Sequence, residues 1–348
     1  MKNTVKTMLI CMVILLLAAN PAFSENTLET LKTNVDGFID DFAYSLPFYS
    51  TLGLNWSDAY VGKMPSGIGF GAGIAAGFTT MDFSSVYNLL NMFNLDIPVE
   101  NTASFQNTGL PFPGYAAEFR IGGIGIPMDF GIKYSYISPS LFDSFTGNFS
   151  NTPSFSLNHM LIGADIRFTP VMMKVFPLNI SFGFGFNYLT GGIKATIPSG
   201  DASFTFSDGI RQLTLNPADP QLGIEWKTFN VELKTQVSFP LKFFTPYTGI
   251  GLSYAQSEAG YRVSSGLSVT DSYGSPVSLN SVEDTLKSFG LTGVSETGFE
   301  TIKKENSFNM RVFGGFSFNL AFIRLDLTGM YNILGGNLGA SLGLRFQM

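Results

Sequence analysis

The chain has 348 residues, of which 45% are hydrophobic and 13% charged, and its net charge is −6. This acidic balance excludes a nucleic-acid partner, which needs a basic patch. One cysteine and one histidine leave too few ligands for a transition-metal site, and the composition calls for no cofactor.

The first 24 residues have the layout of a secretory signal peptide. Lys2 and Lys6 precede an apolar run at 8–19, and Ala22-Phe23-Ser24 is a small-x-small cleavage site. The apolar run is too short for a membrane-spanning helix, which argues against a retained anchor. We predict cleavage before Glu25. The mature chain then has no cysteine and a net charge of −8, from 18 basic and 26 acidic residues.

Residues 25–65 precede the first clear strand and begin with a helical pattern. Gly37 and Pro47 limit the length of this helix. The apolar positions recur at intervals of three and four: Leu28, Leu31, Val35, Phe38, Ile39 and Phe42. The pattern predicts either a periplasmic helix packed under the rest of the protein or a plug folded into it, and we expect the segment to begin on the periplasmic side.

From residue 66 to 348 the sequence alternates large apolar residues with small or polar ones, as in the run from Ile180 to Tyr188. Such alternation, with large residues beside charged ones, predicts strands that face lipid on one side and a polar lumen on the other. The fold class is therefore an all-β, transmembrane, antiparallel up-and-down β-barrel of about ten strands. The ten strong segments are 66–80, 114–125, 128–138, 155–169, 177–190, 223–239, 243–256, 306–319, 321–332 and 337–347. Partial alternation at 51–62, 193–206 and 262–270 allows 12 or 14 strands.

The links between these segments alternate in length, as in barrels with short periplasmic turns and long extracellular loops. The long links are 81–113, 139–154, 191–222 and 257–305, and the short ones are 126–127, 170–176, 240–242 and 320. Only the final outer link, 333–336, is short where a long one is allowed. We therefore expect Ser272 outside the cell and Lys242 on the periplasmic side.

The last strand alternates Leu342, Leu344 and Phe346 with Gly343, Arg345 and Gln347 up to the terminus. It resembles the C-terminal assembly signal of bacterial outer-membrane β-barrel proteins, although here Phe346 is third from the end and Met348 is last. The resemblance implies residence in outer-membrane lipid after secretion and recognition by the barrel-assembly machinery. Residues 20–23 resemble the start of long-chain fatty-acid transporters, which implies uptake of hydrophobic molecules.

Strand parity points a set of ionisable side chains into the lumen. They are Glu118, Arg120, Asp129, Lys133, Asp165, Arg167, Glu232, Lys234, Arg311, Arg324, Asp326 and Arg345. Opposite charges stand two residues apart in Glu118/Arg120, Asp165/Arg167, Glu232/Lys234 and Arg324/Asp326. One interpretation is a selectivity filter, and the other is a salt-bridge network that fills the lumen.

These patterns favour a channel or transporter that passes small solutes across the outer membrane. The alternatives are a filled barrel whose long loops act as an adhesin or surface-interaction protein, and a protein for uptake of hydrophobic molecules. An apolar patch in the first long link suits a cap or an entry site for a hydrophobic ligand. The patch consists of Val86, Leu89, Leu90, Met92 and Phe93.

No catalytic residues are predicted. His159 faces the lumen beside Asn158, but the next inward position is Leu161, and no neighbour supplies a nucleophile. His159 is therefore interpreted as a polar lumen residue, and the protein as a non-enzyme.

Overall fold

The computed structural model describes residues 25–62, 67–82, 84, 108–123, 126–138, 154–172, 178–196, 204–207, 212–217, 221–264, 267–278, 281 and 299–348. The predicted signal peptide and the loop patch at 86–93 lie outside the described residues. Within the described part of the chain, no helix is long and apolar enough to cross a membrane.

The described chain folds as one long helix followed by strands. The helix continues through Gly37 and Pro47, so the prediction that these residues limit its length is wrong. The elements are α1 (Glu25–Ser50), β1 (Gly69–Met81), β2 (Leu110–Gly122), β3 (Met128–Ile137), β4 (Ser154–Met172), β5 (Asn179–Thr196), β6 (Phe204–Ser207), β7 (Gln212–Pro217), β8 (Gln221–Ser238), β9 (Phe244–Ser264), β10 (Leu267–Asp271), β11 (Pro276–Val277), β12 (Phe299–Leu320), β13 (Ile323–Asn332) and β14 (Leu338–Gln347). Ten strands close an antiparallel barrel in the order β1-β14-β13-β12-β9-β8-β5-β4-β3-β2. The other four form a separate sheet in the order β11-β10-β7-β6.

The prediction of a ten-stranded barrel is confirmed, with each predicted segment matching one barrel strand. The additional alternation at 51–62 does not mark a strand, because these residues are irregular. The alternation at 193–206 and 262–270 belongs partly to the ends of β5 and β9 and partly to the small sheet. The larger counts of 12 or 14 barrel strands are therefore wrong.

The two faces of the barrel wall differ in the way that alternation requires. On β5, Phe182, Phe184 and Phe186 are 52%, 50% and 42% exposed on the outer face. On β8, Leu233 is 60% exposed, whereas its neighbours Glu232 and Lys234 are buried at 6% and 7%. A belt of large apolar side chains on the outside is stable only against lipid.

The two ends of the barrel are distinguished by their connections. Strands meet in short links at 123–127, 173–178, 239–243 and 321–322, which define the short-turn end. The opposite, long-loop end has the longer links and one short link, 333–337, between β13 and β14. β9 and β12 have 21 and 22 residues, about twice the length that crosses a bilayer. They pair with each other as far as Val263 and Phe299, so the wall rises above the membrane at the long-loop end. The small sheet is connected to the barrel along the chain at this end, because β7 directly precedes β8 and β10 directly follows β9.

Candidate functional site

The lumen of the barrel is occupied by the protein's own N-terminal segment, residues 25–62, hereafter the plug. Near the long-loop end, the hydroxyl of Tyr261 donates to Asp36 at 3.3 Å. Near the short-turn end, Arg345 bonds Asp58 at 2.8 Å. The chain therefore enters at the long-loop end and descends through the lumen to β1. The expectation that this segment begins at the periplasmic, short-turn end is therefore wrong. An amphipathic helix buries more apolar surface inside the barrel than beneath it.

The long-loop half of the lumen is apolar. Phe42 of α1 packs edge-on against Trp226 of β8 with ring centroids 5.3 Å apart, and Tyr49 lies 4.6 Å from Phe112. The Tyr49 hydroxyl is 3.3 Å from Nε2 of His159. His159 is thus a buried lumen residue beside aromatic rings, as its parity indicated. Among the described residues, no group of three or more His, Cys, Asp or Glu side chains could hold a metal ion.

A tight turn follows the end of α1 at Ser50. Gly53 and Leu54 both have positive φ, of 86° and 57°. A Cβ on Gly53 would lie 2.8 Å from Oε1 of Glu118, so glycine is required there by both backbone conformation and space. The turn directs the amide of Leu54 to the same carboxylate oxygen, to which it donates at 2.6 Å.

Trp56 is the largest buried side chain of the plug, at 2% exposure. Its Nε1 donates to Oε2 of Glu118 at 2.5 Å, and the Arg345 guanidinium lies 4.5 Å from its ring centroid. Gly71 of β1 makes room for the ring, because a Cβ there would meet it at 2.8 Å. The plug and the wall are therefore fitted to each other.

The short-turn half of the lumen holds the plug by donating hydrogen bonds to it. Lys133 Nζ donates to the carbonyls of Ser50 and Leu52, both at 2.7 Å. Further donors are on five other strands: Thr169, Arg167, Asn230, Lys234, Gln236, Tyr247, Arg311 and Arg345. Most of the accepting groups are backbone carbonyls of residues 47–59. The plug is thus bound mainly through its main-chain oxygens.

The charged residues of the wall pair across strands, not along them as the two-residue spacing suggested. Arg120 of β2 bonds Asp129 of β3 at 2.5 Å and Asp165 of β4 at 2.6 Å. Arg167 bonds Asp129 at 2.7 Å, and Lys234 of β8 bonds Asp165 at 2.5 Å. For Asp129 and Arg167 the reason is distance, because they stand opposite each other on adjacent strands, whereas side chains two residues apart on one strand are about 7 Å apart. The pairs of Asp165 with Arg120 and Lys234 instead skip a strand.

Glycines on the intervening strands allow ion pairs to reach over a whole strand. Gly131 of β3 stands opposite both Arg120 and Asp165 in the register. A Cβ on Gly131 would lie 2.6 Å from Asp165 and 2.8 Å from the Arg120 guanidinium. Gly251 of β9 has the same role between Glu232 and Arg311, which are 2.6 Å apart. The glycine alternation thus shapes the charge network as well as the strands.

All twelve predicted lumen residues line the lumen, eleven of them buried and Arg324 half-buried near the short-turn end. Asp326 pairs with Arg345 at 2.5 Å. The plug residues that meet them, above all Asn55, Trp56 and Asp58, were not predicted from the sequence. A tryptophan flanked by polar residues at 55–58 was the signal for them, but partial alternation made 51–62 resemble a strand.

A closed antiparallel barrel with an apolar outer belt and a polar interior defines a transmembrane β-barrel of the bacterial outer-membrane class. No family model and no curated protein sequence matches the chain.

Several solved structures of this class are similar in fold. A major outer-membrane protein of Thermus thermophilus is 9% identical with a TM-score of 0.30, covering 81% of this chain and 99% of that one. The Escherichia coli outer-membrane protease OmpT is 10% identical with a TM-score of 0.34, covering 82% and 98%. The attachment protein Ail of Yersinia pestis is 9% identical with a TM-score of 0.22, covering 81% and 99%. Likeness at this level carries no argument about activity.

Proposed function

We propose that the protein is an outer-membrane channel for small solutes, closed at rest by its own plug. Residues 1–24 are its cleaved signal peptide, and β14 is the strand that the barrel-assembly machinery reads. In this proposal the plug is the gate, and the charged residues of the wall are the filter that a solute meets when the plug moves.

The observation that carries the proposal is how the charges of the lumen are compensated. Of the eight ion pairs that the described residues form within the lumen or between plug and wall, six join one wall residue to another. The other two, Asp58–Arg345 and the more exposed Asp40–Lys303, join the plug to the wall. If the plug were a permanent filling, we would expect its charges to neutralise the charges of the wall. Most charged side chains of the wall are instead neutralised by one another. Displacing the plug breaks about twenty hydrogen bonds to the wall, each worth about 0.5–1.5 kcal/mol net. Opening of the gate therefore requires water or a solute to replace these bonds.

A second candidate function is display of a binding surface by a permanently filled barrel. It is favoured by the four-stranded sheet at the long-loop end, built from the links that join β5 to β8 and β9 to β12. Its β10–β11 turn carries Tyr273, which is 91% exposed. The antiparallel pairing of its four strands gives this region a defined surface, which an irregular loop would lack.

A reversible lock on the plug separates the two functions. The Ala59 amide of the plug donates a hydrogen bond to Ser238 Oγ of the wall at 3.2 Å, so a disulfide between these two contacting positions would tie the plug to β8. The full-length double variant Ala59→Cys/Ser238→Cys, refolded into planar bilayers, should show channel openings when reduced and none when oxidised. Each single variant should open under both conditions. A double variant that is silent in both states, beside a silent unmodified chain, contradicts the channel and favours the filled barrel.

A further inference from the structure

The short-turn half of the lumen is rich in hydrogen-bond donors that point at the plug. Between residues 47 and 61 of the plug, the described wall side chains donate thirteen hydrogen bonds to plug oxygens. The same stretch donates eight to the barrel. The wall therefore presents a surface complementary to oxygen acceptors.

The strongest of these donors are cationic and converge on a short part of the plug. Lys133 binds two carbonyls, Arg167 Nη1 binds the carbonyl of Asp58 at 2.7 Å, and Arg345 binds the Asp58 carboxylate. Charge-assisted bonds of this kind are roughly twice as strong as neutral ones. Asp58 thus has the environment that a bound anion would have.

The net charge of the wall residues that line the lumen is positive, like the charge of these donors. Of its twelve lumen residues, seven are cationic and five are carboxylates. Two guanidinium atoms, Nε of Arg120 and Nε of Arg324, are buried with no hydrogen-bond partner among the described residues. Removing the plug also removes Asp58, which leaves an open passage with excess positive charge and unused donors.

We propose that this half of the lumen is a binding passage for solutes that carry an oxyanion, either a carboxylate or a phosphate, and that residues 50–58 of the plug occupy the place of the solute. The inference rests on the proposed channel function and adds its substrate class. Because solute and plug compete for the same donors, an oxyanion at sufficient concentration should favour the displaced plug.

The test uses the chain from Glu25 to Met348 with Ser57→Cys, in which the introduced thiol is the only one and is buried against Asp326 and Arg345. The rate of its labelling by a neutral thiol reagent is measured in detergent with sodium phosphate, sodium succinate or sodium chloride at equal ionic strength. Phosphate or succinate should raise the rate severalfold over chloride, and whichever is effective identifies the source of the oxyanion. Equal rates in all three salts would overturn the proposal.

Variants of two lysines provide the matched comparison. In the Ser57→Cys background, Lys133→Met should abolish the oxyanion-dependent increase, whereas Lys242→Met, an equal loss of charge at the exposed short-turn end, should preserve it. Loss of the increase in both variants would mean a general charge effect and would contradict the site. Labelling does not depend on conductance, so a protein that is silent in bilayers but responds to oxyanions contradicts the channel and retains the site. In a conducting protein, the open state should prefer anions.

Discussion

The indole N–H of Trp56 donates to the carboxylate of Glu118 at 2.5 Å, and this contact joins the plug to β2 in the middle of the lumen. A hydrogen bond to a charged acceptor contributes about 1.5–3 kcal/mol. Trp56→Phe keeps most of the ring's volume and removes the donor, so we expect the plug to leave its place about 10- to 100-fold more often. Labelling of Ser57→Cys in the presence and absence of Trp56→Phe measures this, and an unchanged rate would show that the contact does not hold the plug.

Gly71 is predicted to tolerate no methyl group while the plug is seated. Gly71→Ala would place its Cβ 2.8 Å from the Trp56 ring. Overpacking of this kind costs about 1–3 kcal/mol, which heat-induced unfolding will show as a lower Tm. Gly343→Ala is the matched control on β14, because its Cβ would meet its nearest neighbour at 3.5 Å. Equal Tm values for both variants would contradict the fit between Gly71 and Trp56.

Leu233 and Glu232 provide a test of which face of β8 meets lipid. Leu233→Arg places a cation on the exposed outer face and should impair insertion into vesicles by about 2–4 kcal/mol near the midplane. Glu232→Gln leaves the outer face unchanged but weakens the 2.6 Å bond to Arg311, so the protein should insert and then unfold at a lower temperature. Failed insertion of Glu232→Gln together with normal insertion of Leu233→Arg would reverse the faces.

The threading of the plug predicts which residues reach the cell surface. Asp40 is exposed and lies 3.4 Å from Lys303 near the long-loop end, and Tyr273 lies in the turn of the small sheet. On intact cells, a membrane-impermeant maleimide should label Asp40→Cys and Tyr273→Cys, whereas Lys242→Cys should react only after the cells are opened. Labelling of Lys242→Cys alone would invert the orientation of the barrel.

The sequence by itself determined the wall of this protein. A strand has a repeat of two residues, so the alternation that places Leu233 outward and Glu232 inward can be recognised in the sequence without knowing the partners of β8. The same local rule found the ten strands and the twelve lumen residues, and the lengths of the links separated the two ends.

Only the tertiary structure decided what fills the lumen and which charges pair. The partners of Glu232 and Lys234 are Arg311 and Asp165, each on another strand, and each is reached across a strand that carries glycine. The path of residues 51–62 is set by contacts with residues more than 60 positions away, such as Trp56 with Glu118. Local periodicity contains no information about such partners, because they are fixed by the closure of the barrel and the volume that it leaves inside.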